Sequence, residues 1–148
     1  MNCLFKEKQK FRQWWLWLIL LFFLIPIIYF DNTFIGYNYV LIVLLIFLFF
    51  FILELRIQIN SKGLYYQFFP FHYKSYIIES NKIKKIEAIK YSPFEQGGWG
   101  IKYGFKGKSY TVSGNKGVRI FLLNGRTILF GSQRYKEMEK ALKRIKKQ

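Results

Sequence analysis

Carboxylates are scarce in this chain. Asp31 is the only aspartate, and 8 acidic residues stand against 24 lysines and arginines, for a formal net charge of +16. Cysteine and histidine are scarcer still: Cys3 and His72 stand alone. One cysteine excludes a disulfide within the chain, and one cysteine with one histidine cannot build a Cys/His zinc site. A Mg²⁺ or Ca²⁺ site needs several close carboxylate oxygens, which scattered glutamates supply poorly. No nucleophile elbow surrounds any serine, so a Ser/His/acid triad would have to draw on His72 and a distant glutamate. Glu79, Glu87 and Glu95 lie beside lysines or on strand faces, where solvated pairing is their ordinary use. The expectation is a protein without cofactor or metal and without enzymatic activity.

What the chain has instead is apolar surface, with 52% hydrophobic residues and 22% aromatics. No charged residue occurs from Gln13 to Phe30, and none from Asn32 to Leu53. About 20 apolar residues cross a bilayer core roughly 30 Å thick, so the runs predict two membrane spans, at about 13–30 and 34–53. Pro26 would kink or end the first. Trp14, Trp15 and Trp17 at one end, with Tyr29, Tyr37 and Tyr39 at the other, fit interfacial aromatic belts. No small-x-small cleavage site follows the first run, which argues against a signal peptide. Lys6, Lys8, Lys10 and Arg12 precede the first run and Arg56 follows the second, whereas the connection between them has no basic residue. The positive-inside rule then places both termini in the cytoplasm, as a multi-pass protein of the cell membrane. Residues 1–12 read as a basic cytoplasmic arm and 13–53 as a transmembrane hairpin. Cys3, in the arm, would stay reduced.

Residues 54–148 carry 20 basic residues and 6 glutamates, a formal +14. Their length suits one small core. Leu55–Asn60 alternates apolar and polar residues, Ser61-Lys62-Gly63 reads as a hairpin, and Pro70 stops the returning strand. Lys74–Glu79 and Lys84–Tyr91 are two more strands. Gly98–Gly104 and Lys108–Val112 pair across a tight turn, and Gly117–Leu123 and Arg126–Phe130 flank Asn124-Gly125, the signal of a type I′ hairpin. The period then changes: Tyr135, Met138, Leu142 and Ile145 form one helical stripe, with Ser132 as its expected N-cap. The expected fold class is a two-helix transmembrane hairpin followed by an all-β split barrel of 7–8 antiparallel strands, capped by a C-terminal helix.

The run Gly97-Gly-Trp-Gly-Ile-Lys-Tyr-Gly104, then Tyr110-Thr-Val-Ser-Gly-Asn-Lys-Gly-Val118, Leu123-Asn-Gly-Arg126 and Phe130-Gly-Ser-Gln133 before a helix resembles bacterial pleckstrin-homology-like (PH-like) membrane proteins. The resemblance implies a seven-stranded split barrel closed by the C-terminal helix behind a two-helix membrane hairpin. It implies little chemistry. The loop Ser61-Lys62-Gly63 is too short for the basic phosphoinositide motif of eukaryotic PH domains, and the closing helix lacks their tryptophan.

Two loops invite a functional reading. Ser113-Gly-Asn-Lys-Gly117 could cradle an anion on backbone N–H groups, with Asn115 and Lys116 at its centre, although it lacks the spacing of a phosphate-binding P-loop; it also suits a plain turn. Trp99, among Gly97, Gly98 and Gly100, either plugs the barrel or stands at its rim as a binding surface. His72, between Phe71 and Tyr73, reads as an aromatic-loop residue. Lys6, Lys8, Lys10, Arg12 and Arg56 are the candidate contacts to anionic lipid headgroups, each near the surface worth about 1 kcal/mol. The expected role is a membrane-anchored interaction module that binds a protein partner or the anionic inner leaflet of the lipid bilayer. The alternatives are an accessory subunit of a larger membrane complex or a tethered nucleic-acid binder. The last is disfavoured by basic residues spread over the whole domain.

Overall fold

The computed structural model describes residues 3–28, 34–92, 98–104 and 107–147, apart from the side chains of 27–28 and 34–36. In chain order the elements are β1 (Cys3–Lys10), α1 (Trp14–Phe22), a 3-10 turn (Ile25–Ile28), α2 (Phe34–Ile52), β2 (Glu54–Asn60), β3 (Gly63–Phe69) and β4 (Tyr76–Glu79). A short 3-10 turn (Ser80–Lys82) leads to β5 (Ile83–Lys90), β6 (Gly100–Gly104), β7 (Gly107–Thr111), β8 (Lys116–Leu122), β9 (Thr127–Gly131) and α3 (Tyr135–Lys146). They fall into two compact units, Met1–Gln9 with Glu54–Gln148, and Lys10–Leu53.

The first unit is built from two sheets. One has the order β1-β2-β3-β4 and the other β5-β8-β9-β7-β6. Period-two alternation explains β2, where Leu55, Ile57 and Ile59 are buried while Arg56 and Gln58 are exposed. Its hairpin with β3 sets Leu55 opposite Phe68, Ile57 opposite Tyr66 and Ile59 opposite Leu64. In the second sheet Val118, Ile120 and Phe130 are fully enclosed. The stripe of α3 completes the core: Met138, Ala141, Leu142 and Ile145 are buried, and the helix packs on β5 and β8 as well as on β2 and β3. At Gly117 any Cβ would lie 2.3 Å from the Phe130 carbonyl oxygen, so β8 needs glycine there to approach β9.

Several expectations fail here. Pro26 sits in the 3-10 turn, and α1 ends before it at 9 residues, roughly 13 Å of helix. The 19-residue α2 holds Gly36, Tyr37, Asn38 and Tyr39 in its first turns, so its unbroken apolar run from Val40 to Ile52 is roughly 20 Å long. Among the described residues, no helix is long and apolar enough to cross a membrane. The transmembrane hairpin is therefore not found. The multi-pass placement and the cytoplasmic termini lose their basis with it, because the positive-inside rule orients spans. Tyr29 and Asp31 lie outside the described residues.

The split barrel fails as well. The strands form two separate sheets, and β7 runs parallel to β9. Consecutive strands suggested antiparallel neighbours throughout. Instead the β8–β9 hairpin folds back so that β9, not β8, lies beside β7. Without hairpin spans or barrel, the resemblance to PH-like membrane proteins does not hold. Two local details differ too. The Asn124-Gly125 hairpin closes with the Gly125 N–H donating to the Leu122 carbonyl and Gly125 at φ +80°, a three-residue loop in place of a two-residue type I′ turn. Arg134, not Ser132, is the N-cap of α3.

Residues 3–10 are a strand of the first sheet, not a free basic arm. Phe5 and Gln9 turn inward, and the Gln9 side-chain amide donates to the Gly131 carbonyl at 2.8 Å. Glu7 accepts from the Ser132 hydroxyl and, at 3.2 Å, from the Gln133 backbone N–H. In the second unit Phe11, Leu20, Val43 and Leu53 are buried. Trp17 meets Phe47 with ring centroids 5.9 Å apart, and Phe11 meets Phe50 at 6.0 Å.

Candidate functional site

Three of the five basic residues singled out in the sequence converge. Side chains on alternate positions of β1 and β2 share the outer face of the first sheet, which brings Lys6, Lys8 and Arg56 to one shallow cleft of about 280 Å³. Gln58, Tyr65 and Gln67 line the same cleft, with Arg56 directly opposite Gln67 and Gln58 opposite Tyr65 in the β2–β3 register. One buried carboxylate organises the cations: Glu54 pairs with Arg56 and, at 4.0 Å, with Lys8. Lys10 ends β1 and Arg12 belongs to the second unit; neither lines the cleft.

The two loops read as possible sites also meet. The Trp99 indole N–H donates to the Gly114 carbonyl at 3.0 Å, which holds the half-buried ring against the loop that carries Asn115 and Lys116. That loop is tied down on its other side. The Asn115 carbonyl accepts from the Tyr91 N–H at 2.7 Å, and the Lys116 carbonyl accepts from the Ser132 N–H at 3.0 Å. Asn115, Lys116, Ser113 and Gln133 border a small hollow of about 260 Å³, and the Lys116 ammonium stands 5.8 Å from the Tyr135 ring centre. The loop is thus a strand connection fixed by backbone hydrogen bonds, with one cation presented at its edge. Gly97, the first glycine of the tryptophan run, lies outside the described residues, as does Glu95.

His72 sits in a ring cluster. Its centroid is 4.7 Å from that of Tyr76, 5.6 Å from Tyr110 and 6.0 Å from Tyr66. Its Nδ1 accepts from the Phe68 backbone N–H at 3.3 Å, so the ring caps the end of β3. Burial first, and the Lys108 charge second, hold the imidazole below its ordinary range. Burial, with a hydrogen bond to Tyr66, likewise pushes the Tyr110 hydroxyl up, and Tyr91 is raised by burial to about 12. Among the described residues, no group of three or more His, Cys, Asp or Glu side chains could hold a metal ion. Glu79 is paired with Lys82 at 3.2 Å and Glu87 with Lys85.

Comparison with known proteins gives no match: no family model, curated protein or solved structure is similar to this chain. Function has to be read from the surfaces.

Sequence reasoning passed over one surface. A cleft of about 710 Å³ lies among Tyr66, Tyr103, Lys108, Arg126, Thr127 and Ile128. Tyr103 and Lys108 are register partners across the β6–β7 turn, and Lys108 also pairs with Ile128 in the parallel β7–β9 ladder. Only that non-local ladder brings Arg126 near Lys108. The local half was readable, because Tyr103 and Lys108 stand symmetrically about positions 105 and 106 in the sequence.

Proposed function

We propose that the protein is a non-enzymatic binding module whose basic sheet face takes anionic lipid headgroups at a bilayer surface. The carrying observation is the cleft at which Lys6 and Lys8 of β1 meet Arg56 of β2, which is distant from them in sequence. Cations close to an anionic surface each contribute about 1 kcal/mol, and the attraction weakens with salt over a Debye length. Glu54 offsets part of this charge while fixing the geometry of Arg56 and Lys8. The apolar helices support the same setting. Leu41, Leu44, Leu45, Leu48 and Phe51 are each more than half exposed, and apolar runs of this length suit an interface better than a crossing.

Co-sedimentation of the full chain with vesicles tests the reading. Binding to vesicles with about 30% phosphatidylserine should exceed binding to neutral phosphatidylcholine vesicles by roughly tenfold at low salt. The triple variant Lys6→Gln, Lys8→Gln, Arg56→Gln should lose most of that difference. Equal binding to both compositions would overturn the proposal, and preferential retention on single-stranded nucleic acid would favour a different partner.

A further inference from the structure

We propose that the cleft beside the β6–β7 hairpin binds a small phosphorylated aromatic molecule of the nucleoside monophosphate class. Its volume, about 710 Å³, is in the range of small-molecule sites. Among the described residues the lining has two cationic side chains, Lys108 and Arg126, and no carboxylate. Among the described residues neither cation is engaged in an ion pair, in contrast to Arg56, Lys82, Lys85, Arg134 and Lys143. Two unpaired positive charges facing one hollow select an anion, and the fork of Arg126 matches two phosphate oxygens at once.

The rings supply the second half of the recognition. The Lys108 ammonium lies 4.7 Å from the Tyr103 ring centre and 4.9 Å from that of Tyr110, which fixes it at the cleft wall. Tyr103 is 79% exposed and lines the same hollow as Lys108 and Arg126, so its ring is open to a planar base. A base at Tyr103 and a phosphate at Lys108 and Arg126 would share this one lining, with the Thr127 hydroxyl within it. Inorganic phosphate would use the cations and leave the ring idle. Apart from Tyr66 of β3, the lining belongs to the second sheet and its turns, and neither Lys108 nor Arg126 belongs to the headgroup cleft.

Calorimetric titration of the full chain in neutral detergent with adenosine monophosphate, adenosine and inorganic phosphate tests the proposal. The monophosphate should bind at least tenfold more tightly than either half. Lys108→Gln and Arg126→Gln should each weaken it about tenfold, and Tyr103→Ala should reduce it to the affinity of inorganic phosphate. Tyr103→Phe should restore it, which separates stacking from any loss of fold. No binding, equal binding of the monophosphate and inorganic phosphate, or monophosphate affinity unchanged in the Lys108/Arg126 double variant would overturn the assignment. So would affinity that climbs with oligonucleotide length, because that describes an extended groove.

Discussion

The two units of this chain use apolar residues in opposite ways. In the sheet unit they point inward: Leu55, Ile59, Leu64, Val118, Ile120, Phe130, Met138 and Leu142 are wholly enclosed. In the helical unit, Lys10–Leu53, four of the described apolar residues are buried and a long series of Leu, Ile and Phe side chains is exposed. The difference follows from period. Strands of period two and the single stripe of α3 separate a core face from a solvent face. The α2 run Val40–Ile52 is apolar on all sides and has no polar face to turn outward. The first unit buries its apolar side chains within itself, whereas the described part of the second leaves most of its own exposed.

Truncating one leucine in each unit gives the sharpest contrast. Leu142→Ala removes a fully buried side chain beneath both sheets and should destabilise the sheet unit by about 2–5 kcal/mol in denaturant unfolding. Leu44→Ala, at a position 56% exposed, should change that stability by less than about 0.5 kcal/mol. It should instead lower partition onto neutral vesicles. Similar losses of stability from the two substitutions would erase the contrast.

A smaller effect locates the boundary between the units. Gln9→Ala deletes the hydrogen bond to the Gly131 carbonyl and leaves that buried acceptor without its partner, a cost of about 1–2 kcal/mol. Amide exchange should quicken along β1 and at Gly131 together, because the strand belongs to the sheet unit. Faster exchange along β1 alone would make residues 3–10 an arm after all.

How much of this was legible depended on the range of the contacts. The β2–β3 hairpin, the β6–β7 pairing and the α3 stripe announce themselves in local alternation or in helical spacing, and each is present. β1 was hidden because two of its inward positions are Glu7 and Gln9, polar residues whose partners lie more than a hundred positions away. The pairing of β7 with β9 was hidden because no local signal says which strand lies beside which. The helical unit misled for another reason. Hydropathy alone does not show where a helix stops, and α1 stops ahead of Pro26. The candidate sites divide along the same line. Lys6, Lys8 and Arg56 were chosen for charge, and strand pairing made them neighbours. Lys108 and Arg126 were missed because only the parallel ladder joins them.

The smallest effect concerns pH, and it belongs to one unit only. The described part of the helical unit has no histidine or carboxylate, whereas His72 lies against Tyr66 of β3, Tyr76 of β4, and Tyr110 and Lys108 of β7. Burial and the Lys108 charge favour the neutral ring in the fold, so the folded chain binds its proton less readily than the unfolded chain, whose pKa is near 6.5. The stabilising contribution is therefore complete above that value and is lost as the pH falls below it. Thermal unfolding followed from pH 7.5 to 5.5 should show a steeper decline for the native chain than for His72→Gln, which keeps a polar group at the end of β3 but does not titrate. Adding Lys108→Gln to the native chain should flatten the decline part of the way, because burial is the larger cause and remains. Parallel curves for the native and His72→Gln chains would mean that the ring cluster tolerates the protonated imidazole, and that the sheet unit is no more responsive to acid than the helical one.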